Sequence, residues 1–111
     1  MNVTTMLRAF CDAVERRDGK AFAALFTKSP VKRIGRDRFV RNVLIAIGNS
    51  NDLALAEEAR RLLEDASPVV RGAAVWALSQ LLAREAFAAL RTAAIACERD
   101  DSVREEWQAA P

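Results

Sequence analysis

Histidine is absent from the sequence, cysteine occurs only twice, and aromatic residues make up 6% of it. Without an imidazole, Ser29, Ser50, Ser67, Ser79 and Ser102 lack the usual base that would make one of them a nucleophile. Cys11 and Cys97 stand alone, with no C-x-x-C pair, and read as buried apolar thiols in a reducing compartment; a disulfide between them is the lesser alternative. The longest apolar run, VLIAIG at Val43 to Gly48, is far short of a membrane span, and MNVTTMLRAFCDAVERR lacks the pattern of a secretory leader. A cytoplasmic protein without membrane contact is expected. The β-branched and aromatic runs of a sheet are missing too, whereas alanine, leucine, glutamate and arginine favour helix. The fold class expected is all-α, in one domain of 111 residues.

What is present is helix after helix. Leu7, Phe10, Cys11 and Val14 mark one face of a helix over Thr5 to Arg17, ended by Gly19. Lys20 to Phe26 forms a second, short one before Ser29 and Pro30. From Arg36 or Asp37 to about Asn49 the residues are apolar nearly all the way round, which predicts a buried central helix. GNSND at Gly48 to Asp52 supplies a C-terminal glycine and new N-caps; the next helix turns Leu55, Ala59, Leu62 and Leu63 inward and Glu57, Glu58, Arg60 and Arg61 outward. Ser67 followed by Pro68 opens a helix to about Leu82. Arg84 to Glu98 aligns Phe87, Leu90, Ala94 and Cys97, and a last helix starts near Ser102 and includes Trp107. Helical spacing among apolar neighbours makes Trp76 and Trp107 core residues before base-stacking ones. Glu57 with Glu58, and Asp100 with Asp101, are sequence neighbours about a hundred degrees apart on a helix, so neither forms a convergent acid and base pair.

The chain also repeats itself. FVRNVLIAIGN from Phe39 aligns with VVRGAAVWALS from Val69, matching Arg41 to Arg71, and DASPVVRG resembles DDSVREE, which puts Arg104 in the same slot. An Asp, a cap and Val-Arg opening an apolar helix resembles the HEAT-like repeat of helical solenoids, so the expected architecture is a short stack of antiparallel helix pairs. The parts are N-terminal helices over 1–27, a basic loop over 28–37 and the HEAT-like repeats over 38–111. An arginine ladder between repeats explains Arg41, Arg71 and Arg104 without a ligand.

Against a formal net charge of +2, KSPVKRIGRDRFVRN at Lys28 to Asn42 collects six basic residues and one acid. Lys28, Lys32, Arg33, Arg36, Arg38 and Arg41, with Asn42 beside them, can attract phosphates, and arginine can hold a phosphate bidentately. A solvated loop that offsets neighbouring glutamates explains the same residues equally well.

SPVKRIGRDRFVRNVLIAIGNS, ASPVVRGAAVWAL and the closing DDSVREEW resemble the C-terminal HEAT-like domain of bacterial epoxyqueuosine reductase, over about Asp18 to Trp107. The resemblance implies queuosine tRNA modification by an enzyme whose cobalamin and two four-iron clusters reside in a separate catalytic part, with the helical domain beside the tRNA. Two cysteines cannot hold a four-iron cluster, which takes four thiolates, so this chain is expected to be non-catalytic and to hold no cofactor or metal. LRAFCDAVERRDGKAFAALF also resembles the opening helices of polyketide-cyclase-like α+β proteins, but no strand-forming sequence follows Thr27. The expected partner is a tRNA at its anticodon stem-loop, gripped through Lys28, Lys32, Arg33, Arg36 and Arg38, with Arg41 and Asn42 at the edge. The alternatives are a protein-interaction module and a truncated remnant of the reductase.

Overall fold

The computed structural model describes residues 33–109. The helices expected over Thr5 to Arg17 and Lys20 to Phe26, together with Cys11, Lys28 and Lys32, lie outside the described residues. The chain divides into two units, Met1–Arg36 and Asp37–Pro111, and the second carries nearly all that is described. Its elements are α1 (Arg33–Gly48), a 3-10 turn (Leu53–Leu55), α2 (Ala56–Leu62), α3 (Pro68–Leu81), α4 (Arg84–Ile95) and α5 (Asp101–Ala109). No strand occurs among the described residues, and no helix there is long and apolar enough to cross a membrane.

The hub is α3, which packs most extensively on α5 and α2, while α4 touches both α3 and α5. Val70, Ala74, Val75, Ala77 and Leu78 of α3 are buried, which matches its apolar sequence; Ser67 Oγ accepts from the Val70 N–H at 3.4 Å and Pro68 fills the first turn. On the far side Phe87 of α4 meets Trp107 of α5, ring centroids 5.3 Å apart, and both are buried. Arg91 lies over the Phe87 ring at 5.2 Å and its Nε donates to the Trp107 carbonyl at 2.8 Å, which ties the last helix to α4.

Several expectations change. The first described helix begins at Arg33, so Arg33 to Asp37 are helical turns rather than loop. It is also not buried all round: Val40, Val43, Leu44 and Ile47 form one buried stripe, Phe39, Ile45 and Ala46 are half-buried, and Arg38, Arg41 and Asn42 face solvent. A helix packed from one side needs only that stripe, and α3 takes the central role. Gly48 is not in the left-handed region; Asn51 is, with φ 56°, and it makes the turn before Asp52 caps the 3-10 turn. The missing side chain of Gly48 serves packing instead, because a Cβ there would run into the edge of the Trp76 ring and lie 3.1 Å from the Ala77 Cα. Trp76 is accordingly half-buried, not core. Cys97 is exposed rather than buried: α4 ends at Ile95, so the helical spacing that aligned Cys97 with Phe87 has already stopped. Glu58 is half-buried, where an outward position was expected.

Candidate nucleic-acid interface

The repeated segments build one device twice. In the first copy Asp65 Oδ2 accepts from the Ser67 N–H at 2.9 Å, Ser67 caps Val70, and Arg71 Nη1 reaches back to the Asp65 carbonyl at 2.9 Å. In the second, Glu98 Oε1 accepts from the Asp100 N–H at 3.1 Å, Asp100 Oδ1 accepts from the Val103 N–H at 3.2 Å, and Arg104 Nη1 reaches the Glu98 carbonyl at 2.9 Å. The structural counterpart of Asp65 is therefore Glu98, and Asp100 takes the place of Ser67. Each arginine is the fourth residue of its helix and reaches back to carbonyls of the segment before it, Asp65 and Ala66 for Arg71, Ile95 and Glu98 for Arg104. The copies are then joined, since Arg71 also grips the Glu98 carboxylate with Nε and Nη2, each at 3.0 Å. Partial burial would raise the Glu98 carboxyl, but hydrogen bonds from Arg71 and the Asp100 N–H, with the Arg71 charge, hold it below its ordinary value. Asp100 is lowered as well, chiefly by the Ser102 hydroxyl and the Val103 N–H.

Arg41 escapes this arrangement. In its copy Gly35 stands where Asp65 and Glu98 stand, and the helix runs through that point, so Arg41 is the ninth helical residue rather than the fourth. It makes no hydrogen bond or ion pair among the described residues, whereas Arg71 and Arg104 are both committed to structure. The arginine ladder is thus real for two of the three positions.

Of the basic cluster, Arg33 opens α1, Arg36 is half-exposed in its first turn, and Arg38, Arg41 and Asn42 are exposed. The last three are spaced by three and four residues, which puts them on one face of the helix. Arg41 also borders an open groove of about 460 Å3 between α1, α3 and α5, whose other walls include Ile45, Gly72, Trp76, Ser102 and Glu106. Sequence reasoning missed Trp76 and Glu106 as groove residues, because each is placed there by packing between distant helices. A second hollow, of about 560 Å3, lies beside α4 and the α2 end, and of the charges that line it Arg71 and Glu98 are paired with each other. Among the described residues no cluster of His, Cys, Asp or Glu is arranged to hold a metal ion.

These features define a class: an all-helical domain knit by a repeated arginine cap, with a basic helix face leading to a groove. The chain is 42% identical over 55 residues to the epoxyqueuosine reductase of Xanthomonas campestris pv. campestris, a stretch that takes in 47% of this chain and 15% of that protein. It is related to that enzyme while spanning a small fraction of its length. No family model and no solved structure matches the chain.

Proposed function

We propose that this chain is a non-catalytic, HEAT-like binding domain related to the epoxyqueuosine reductase and that it contacts the phosphate backbone of a tRNA anticodon stem-loop. Lys28, Lys32, Arg33, Arg36 and Arg38 supply the charge, with Arg41 and Asn42 at the edge. The observation that carries this reading is the release of Arg41: its two counterparts are consumed by carbonyls, whereas it shares an exposed helix face with Arg38 and Asn42. The partial similarity to an epoxyqueuosine reductase supports RNA as the polyanion, and the twice-built cap supports a HEAT-like stack.

The test is binding of the purified chain to a tRNA with a queuosine-type anticodon, an unrelated tRNA and a DNA duplex across a salt series. The expected result is preference for the first, a steep fall with salt, and a slope reduced by about two to three in the Lys32, Arg33 and Arg36 triple alanine variant at unchanged helicity. Absence of binding even at low salt would sink the reading. A second reading, a module that docks on a separately encoded protein, draws on two exposed apolar side chains, Leu53 at 64% and Val69 at 53%. A salt-insensitive protein complex containing no RNA would favour it.

A further inference from the structure

Resting on the RNA-binding reading, we propose that the groove between α1, α3 and α5 takes one unpaired guanine-type base of the bound strand, stacked on Trp76, read by Glu106 and with its phosphate on Arg41. Each part is on hand. Trp76 is half-buried, has the Cε3–Cζ3 edge of its ring against Gly48 and borders the groove, so it is a positioned aromatic side chain. Arg41 and Glu106 border the same groove, and neither pairs with the other or with any described residue. A cation and a carboxylate that border one groove of about 460 Å3 without pairing suit a ligand that carries both a negative group and hydrogen-bond donors.

The donor end selects the base. A carboxylate has only acceptors, and its two oxygens match two N–H groups side by side. On its Watson–Crick edge guanine offers that pair, the ring N1–H and the amino group; adenine and cytosine each present an acceptor next to the amino group, and uracil has a single donor flanked by carbonyls. A paired base has this edge occupied, so the target is a loop or single-stranded nucleotide. The Glu106 side chain lies against α3 at Gly72, its Cγ 3.7 Å from where a Cβ there would stand, which is ordinary contact distance.

The experiment titrates the full chain with a uridine heptamer carrying one central guanosine, and with the same heptamer carrying adenosine, while following tryptophan emission. Trp107 is 1% exposed and out of reach of a stacking base, so quenching reports Trp76. The expected result is quenching by the guanosine oligomer, at least about fivefold tighter binding than the adenosine one, no quenching in Trp76→Phe, and loss of the preference in Glu106→Gln with unchanged melting temperature. RNA binding without quenching, equal affinity for the two oligomers, or a preference that survives Glu106→Gln would overturn the groove proposal and leave the backbone-binding reading standing. Failure to bind either oligomer or tRNA at low salt removes both.

Discussion

Arg71 ties three segments of the described fold together through one side chain. Its guanidinium donates to the Asp65 and Ala66 carbonyls and to both oxygens of Glu98, with only 19% of the side chain exposed. Truncating one member of such a network leaves acceptors and a carboxylate without their donor. Arg71→Ala is expected to destabilise the chain by about 2–3 kcal/mol in urea unfolding, and Arg71→Lys to recover less than half, because an ammonium cannot reproduce the fork. The acid response follows from the same contacts. Glu98 and Asp100 have lowered folded-state values, so each contributes stability that is present above its ordinary value and lost as pH falls through the folded one. Melting temperature should therefore hold from neutral pH down to about 5 and decline below it, and Glu98→Gln should flatten the upper part of that decline.

At the scale of the element, the glycine at the end of α1 separates two accounts of its role. A purely local role would make Gly48→Ala stabilising, since alanine is the better helix former by about 1 kcal/mol. The contact with Trp76 and the Ala77 backbone predicts the opposite, a loss of about 1–3 kcal/mol as the two helices are pushed apart. Thermal unfolding of Gly48→Ala, with Trp76 emission as a local probe, reads the sign directly. The helix starts were legible in the sequence wherever a cap carried them: Ser67 and Pro68 announce α3, and the Asp100 region announces α5. The start of α1 was not: the expected start at Arg36 or Asp37 follows Gly35, yet the helix begins at Arg33 and runs through that glycine.

At the scale of the molecule, α3 is enclosed by its neighbours while α5 is held by fewer surfaces. Trp107 packs on Phe87, and its carbonyl is held by Arg91, so Trp107→Ala should cost about 3–5 kcal/mol and release the last helix to proteolysis before α3 unfolds. Limited digestion followed by mass measurement would locate the first cut; cleavage within α3 instead would mean that α5 does not depend on this contact.

The sequence alone determined the helical class, the thirty-residue repetition, most caps and the basic cluster at Lys28 to Asn42, because each rests on spacing and composition within one or two helical turns. Only the tertiary structure decided which arginines are structural, that Gly48 answers to Trp76, that Cys97 is exposed, and that Trp76, Glu106 and Arg41 share a groove. Those outcomes depend on which faces meet across thirty to seventy residues of chain, and helical periodicity says which side of a helix is apolar without saying what comes to rest against it.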